Sequence, residues 1–307
     1  MKLLVLSEHE VTELLTMQEC IGVMEEALAA TARGGEVHNP LRQVIRVPGA
    51  PGFLGLMPAY RGGAQPYYGL KEVCVFPENP KRGLDTHVGA VILHSGETGE
   101  PLAMMNASAI TAIRTAAVSA VATKLLARED SMVLAILGAG VQAKSHAKAI
   151  PLVRPIRDVL ICGRGGNVEE TVRNADIIVT ATNSREPVLK REWIRPGTHI
   201  NAVGSSIASA RELDSAAVAA SSLFVDRRES TVNESGDYLF ALREGAITES
   251  HIKAELGEIL SGAAPGRTSR DEITLFKSLG LAIEDLASAA FLYEKARRVG
   301  SGQWVDF

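Results

Sequence analysis

The spacing of apolar and polar positions divides the chain into three textures. A short apolar run over 2–6 meets polar residues at 7–10, and helical spacing begins at Ser7 or Glu8. A second helical pattern covers 17–33 and is stopped by Gly34 and Gly35. Between 41 and 93 the pattern becomes short β-type runs at 43–47, 53–57, 68–75 and 88–93. Pro, Gly and Asn punctuate them as in an antiparallel sheet. The segment 94–100, HSGETGE, reads as a hairpin turn, and an Ala-rich helix over 107–127 follows.

From 132 the texture changes again. The unbroken run MVLAIL over 132–137 is what a strand buried on both faces of a parallel sheet requires. A helix to about 150 follows, then strands at 158–162, 175–180, 198–203 and 223–225. Strands alternating with helices predict a doubly wound α/β domain. It ends near Thr274, and a last helix over 280–298 returns to the first domain. The expected division is an α+β domain over 1–112, rejoined by 279–307, and a parallel α/β domain over 113–278.

Composition narrows the classes. The 307 residues suit two domains, and 46% apolar with 22% charged residues is ordinary globular usage. A net charge of -4 with no basic run excludes an electrostatic nucleic-acid binder, and no pattern resembles a membrane-surface helix. The consecutive apolar stretches fall short of a membrane span, and the N-terminal run is too short for a signal peptide. The cytoplasm is therefore expected. Cys20, Cys74 and Cys162 are odd in number and lack ligand spacing, so neither a disulfide framework nor a metal site is implied.

The chemistry enters at Gly138-Ala139-Gly140-Val141-Gln142-Ala143, a G-x-G-x-x-A loop between a buried-type strand and a helix. The first glycine makes the turn, the second lets backbone approach a pyrophosphate, and the helix N-terminus favours its charge. This predicts a Rossmann dinucleotide site. The next strand ends Cys162-Gly163-Arg164-Gly165-Gly166, without the acidic residue that binds the ribose of NAD. Arg164 there favours NADP(H), with NAD(H) the alternative; it also reads as a solvated loop residue. Between Gly163 and Asp176 only one short crossover fits. Either one βα unit is lost or a stretch is missing from the sequence as read. In the first case the adenosine side is abbreviated.

Several stretches together resemble the ornithine cyclodeaminase/mu-crystallin family. They include GLMPA at 55–59, GLK at 69–71, AIRTAAVS at 112–119, ILGAGVQAKSH, ADIIVTATNSREPVL, PGTHINAVGSS, ESGD at 234–237, AELGEIL and TLFKSLGLAIEDLA. The resemblance covers nearly the whole chain. It implies that 1–112 with 279–307 binds substrate and forms a homodimer, while 113–278 holds NAD(P). By position, Arg42, Lys71 and Arg114 match family residues near the substrate carboxylate and cofactor, and Arg46 competes with Arg42. Arginine offers a bidentate fork for a carboxylate, and fixed cations suit a small amino or imino acid. Thr86, His87, Arg114, Ala139, Val141, Gln142, Thr182, Asn183, Val203 and Ser278 match cofactor-contacting positions. His87 reads equally as a proton donor or a hydrogen-bonded structural residue.

One departure bears on the activity. Members that cyclise ornithine carry an aspartate after the Asn-Ala-Val-Gly motif, and here Ser206 holds that position. A serine cannot serve as a carboxylate base. The ketimine reductase branch has serine there. The expected reaction is NAD(P)H-dependent reduction of a small imino acid, with Lys71, Arg114 and Ser206 as its catalytic residues. Rival readings are an amino-acid dehydrogenase, a cyclodeaminase and a non-catalytic ligand-binding protein. Replacing Lys71 or Arg114 by Ala is expected to collapse turnover with little loss of folding.

Overall fold

A computed structural model describes residues 2–307, apart from the side chain of Pro80. The chain forms two units: residues up to Arg114 together with Leu281–Phe307, and Thr115–Gly280.

The first unit opens with β1 (Lys2–Leu6), α1 (Glu8–Leu14) and α2 (Met17–Ala32). Capping boxes set both helix starts, Ser7 with Glu10 and Thr16 with Glu19, each satisfying backbone N–H groups that a first turn leaves open. The strands β2 (Val37–His38), β3 (Gln43–Ile45), β4 (Phe53–Arg61), β5 (Tyr67–Val75), β6 (His87–Ser95) and β7 (Pro101–Asn106) follow. They pair antiparallel, as the alternating runs predict. The sheet is mixed rather than antiparallel throughout, because β1 joins β7 in parallel.

The helix α3 (Ala107–Leu126) carries the boundary between the units. By length and composition α3 is long and apolar enough to cross a membrane, although Ser, Thr and Arg interrupt its apolar run. It is instead 72% buried within the protein, as a core helix is.

The second unit is built on one all-parallel sheet. Its elements are β8 (Val133–Leu137), α4 (Val141–Ala149), β9 (Asp158–Cys162), α5 (Val168–Val172), β10 (Ile177–Thr180), β11 (His199–Ala202), α6 (Ser215–Ala219) and β12 (Ser222–Val225). Next come α7 (Arg228–Glu234), α8 (Gly236–Arg243), β13 (Ile252–Glu255), α9 (Leu256–Leu260) and β14 (Thr274–Lys277). The strand order is β13-β12-β14-β11-β10-β8-β9. Strands β10, β11 and β14 are buried at every residue, consistent with helices on both faces. The order reverses at β8, which places the switch point, where such sheets bind ligands, at the glycine loop.

The chain then returns to the first unit with α10 (Ala282–Val299) and β15 (Gln303–Asp306), which closes the sheet edge beside β1. Helix α10 packs on β4–β7 and against α2. The contact is close: a Cβ at Gly69 would stand 2.7 Å from Leu286 Cδ1. Met24 and Leu28 are fully buried there. Each such side chain contributes about 1.5–3 kcal/mol relative to exposure.

Candidate functional site

In the first unit, sheet register aligns Met57, Lys71, Val91 and Met105 across four neighbouring strands, so one lysine interrupts an apolar row. Lys71 is 5% exposed and Arg114 is 4% exposed. Helix α10 supplies the countercharges. Lys71 Nζ donates to Asp285 Oδ1 at 3.3 Å and Oδ2 at 3.4 Å. Arg114 Nε donates to the same Oδ1 at 3.1 Å, and its Nη1 donates to Glu284 at 2.5 Å. Two cations and two carboxylates thus balance inside the unit, which a buried charge requires.

Burial pushes Lys71 down to about 8; Asp285 opposes that shift, while the charges of Arg114 and Arg42 add to it. Lys71 therefore remains a cation at neutral pH but loses its proton in mild alkali. Arg42 is half-buried and acts on Lys71, whereas Arg46 stacks over Phe53 at 4.2 Å, so Arg42 is the member of that pair associated with the cluster. Thr86 and His87 lie at the start of β6. Burial and the charge of Lys71 hold the imidazole of His87 below its ordinary value. Cys20 lies against the same network, but burial raises its thiol to about 12, which leaves it an inert hydrophobe. This burial bears on the expectation that Lys71→Ala and Arg114→Ala spare folding. Arg114→Ala would take the ion pair from buried Glu284, which costs about 3–5 kcal/mol, whereas Lys71→Ala leaves Asp285 with Arg114 and costs less.

In the second unit the sequence-selected residues collect at the carboxyl ends of the parallel strands: Gly138–Gln142 after β8, Arg164 after β9, Thr182 and Asn183 after β10, Val203 and Ser206 after β11, and Ser278 after β14. Gly138 has φ +124°, and a Cβ there would fall on the Ala181 carbonyl, so only glycine makes this turn. Gly140 is the N-cap of α4, and no atom lies within 4 Å of where its Cβ would stand. That open space in front of a helix N-terminus fits a phosphate held by backbone N–H groups.

A carboxylate that sequence reasoning missed ties these loops together. Glu212 accepts from Thr180 Oγ1 at 2.8 Å, from Thr182 N and Oγ1 at 2.7 Å each, from Gly204 N at 2.7 Å and from Ser205 N at 3.3 Å. It is fully buried, and burial raises its pKa. Asp237 holds the backbone N–H of Glu212 at 2.8 Å and that of Leu213 at 3.0 Å, and pairs with buried Lys277 at 2.9 Å. His146 is buried, with Nε2 2.9 Å from Ser119 Oγ, and burial lowers it to about 4, so the ring is a neutral structural group. Asp285 and Glu284 were also missed. Their one signal was a pair of acids inside the otherwise small and apolar stretch GLAIEDLASAAF.

The fold of the second unit is that of a dinucleotide-binding domain. A model of the ornithine cyclodeaminase/mu-crystallin family matches residues 1–167 and 162–300, and the chain belongs to that family. The chain is 39% identical over 328 residues to a Δ1-pyrroline-2-carboxylate reductase of Bacillus cereus, covering 99% of this chain and all of that one. It is 40% identical over 313 residues to the mouse ketimine reductase mu-crystallin, covering 94% and 96%. Among solved structures, Thermococcus litoralis Δ1-pyrroline-2-carboxylate reductase in complex with NADH and L-proline superposes with a TM-score of 0.93 at 41% identity. The superposition covers 98% of this chain and 99% of that one. The alignment of 328 positions against 307 residues leaves at least 21 positions of the Bacillus relative without a counterpart here. The two family matches meet at 162–167, directly after β9.

Proposed function

We propose that the protein reduces a small imino acid to the amino acid with NAD(P)H, the substrate being a cyclic ketimine such as Δ1-pyrroline-2-carboxylate. The observation that carries this reading is the buried pair Lys71 and Arg114, braced by Asp285 inside a chain whose relatives are named for this reaction. When bound, the nicotinamide supplies a hydride to the C=N carbon.

The protein's own residues supply charge and orientation. Arg42 and Lys71 hold the substrate carboxylate, and Arg114 adds positive potential and a fork for the same anion. Ser206 hydrogen-bonds the imine nitrogen or a water that relays a proton to it, so that nitrogen gains a proton as carbon gains the hydride. The absence of a carboxylate at Ser206 argues against ornithine cyclisation. Gly138, Ala139, Gly140, Val141 and Gln142 receive the pyrophosphate, with Thr86, His87, Thr182, Asn183, Val203 and Ser278 as further cofactor contacts. Arg164, in place of an acidic residue after β9, favours NADP(H) over NAD(H).

The protein acts as a homodimer in this reading. Pro58, Leu70, Ile92 and Met104 form a cross-strand row on the sheet face opposite α10, and none of the four is fully buried in the single chain. An apolar face of that kind marks an interaction surface.

The test is product analysis with cofactor deuterated at the transferable position. Deuterium at Cα of proline supports the reading, and unlabelled proline or none contradicts it.

A further inference from the structure

The connection from β9 to β10 is short. β9 ends at Cys162 and β10 begins at Ile177, and the five-residue helix α5 is the element between them. A dinucleotide-binding sheet has the order 3-2-1-4-5-6, two mononucleotide-binding halves that meet at the first strand. Here β8 is that first strand and β9 the second, and β9 is the end of the sheet. Among the described residues no third strand stands beyond β9 in this half.

Side-chain burial marks the same loss. Val159, Leu160 and Ile161 of β9 are 41%, 40% and 51% exposed, although successive residues point to opposite faces of the sheet. Neither face of β9 is therefore fully covered, in contrast to β10, β11 and β14. The segment after β9 is Gly163-Arg164-Gly165-Gly166, exposed from Arg164 onward. It offers no carboxylate for ribose hydroxyls and no apolar side chain for an adenine face. The other half has β10, β11 and β14 in place, with the loops after β10 and β11 tied by Glu212.

We infer, on the proposed reading of the protein as a nicotinamide-dependent reductase, that the cofactor is held by its nicotinamide end and by the phosphate at the start of α4. The adenosine end adds little, so reduced nicotinamide mononucleotide serves in place of the dinucleotide. The physical reason is the missing strand: adenosine affinity comes from walls that bury the base and groups that pair the ribose, and both belong to the abbreviated half. Arg164 can add attraction for a 2′-phosphate without restoring those walls. The comparison is therefore made with NADH, which lacks that group.

The experiment titrates the purified full chain with NADH and with reduced nicotinamide mononucleotide, following nicotinamide fluorescence. AMP is then added as a competitor. The inference predicts dissociation constants within about tenfold of each other, and no displacement by AMP at concentrations comparable to the NADH constant. NADH binding more than about tenfold tighter than the mononucleotide, or displacement by AMP at those concentrations, overturns it. If neither nucleotide binds, the nicotinamide-dependent reading itself fails and takes the inference with it. If NADH binds and the mononucleotide does not, the inference alone fails. Turnover of Δ1-pyrroline-2-carboxylate with the mononucleotide as hydride donor is the second readout, expected within about tenfold of the NADH rate at saturation.

Discussion

Asp285 accepts from Lys71 at 3.3 Å and from Arg114 at 3.1 Å through the same carboxylate oxygen, so one buried acid fixes two cations side by side. A carboxylate shared in this way directs both cations and raises the proton affinity of the lysine against the effect of burial. Removing it affects charge and geometry together.

The pH dependence follows from that pair. Lys71 is held at about 8, chiefly by burial, and Asp285 is the group that raises it. The cation is present below that value and lost above it. The KM for the imino acid should therefore rise, and kcat/KM should fall, as pH passes 8. Asp285→Asn removes the raising influence and leaves Arg114, Arg42 and the neighbouring His87 facing the amine. The alkaline limb should then move to lower pH by about one unit or more, with Asp285→Glu restoring part of the shift. An unmoved limb in Asp285→Asn would separate Lys71 from substrate binding.

Truncating the cations should cost both activity and stability. Lys71→Ala and Arg114→Ala are expected to collapse turnover; Arg114→Ala should also lower stability by about 3–5 kcal/mol, because buried Glu284 loses its ion pair, and Lys71→Ala by less, because Asp285 keeps Arg114. Thermal unfolding and steady-state rates on the same preparations check this. Wild-type rates in both variants would sink the assignment of the pair.

Glu212 should behave as the fastening of the loops after β10 and β11. Glu212→Ala leaves the N–H groups of Thr182 and Ser205 without their acceptor, while that of Gly204 keeps the Thr180 carbonyl at 3.1 Å. Unsatisfied buried donors cost about 1–3 kcal/mol each, so a loss of about 2 kcal/mol or more is expected. Cofactor affinity should weaken with it, by about tenfold or more. A variant with unchanged Tm and unchanged NADH titration would show that the loops hold without it.

Arg164→Ala tests the cofactor preference. NADPH affinity should fall to that of NADH while NADH is unaffected, since the guanidinium can pair only with the added phosphate. Equal losses for both cofactors would give Arg164 a structural role instead.

Much of this was legible because local pattern and tertiary demand agree. The run DVLIC gives β9 at 158–162, and VLAIL followed by the glycine loop gives β8 and the start of α4. The pattern does not mark β1, β2, β7, β13, β14 or β15 as strands, because their pairing is set by partners elsewhere in the sheets. IKAE at 252–255 is a strand only because β12 lies beside it. The two acids on α10 were illegible for a different reason. Charge in a helix ordinarily signals solvent, and only the register that places Lys71 on the helix-covered face shows why Asp285 is buried. Glu212 gave no signal, because its role depends on backbone N–H groups from loops about 7–30 residues away.

The most direct measurement is nicotinamide absorbance on addition of Δ1-pyrroline-2-carboxylate, with NADPH and NADH in parallel and L-ornithine and L-alanine as comparison substrates. The account predicts cofactor oxidation that requires the imine and yields proline in equal amount, no turnover of ornithine, and slow oxidation of alanine with the oxidised cofactor. Ammonia release from ornithine, or no imine-dependent oxidation with either cofactor, would contradict it.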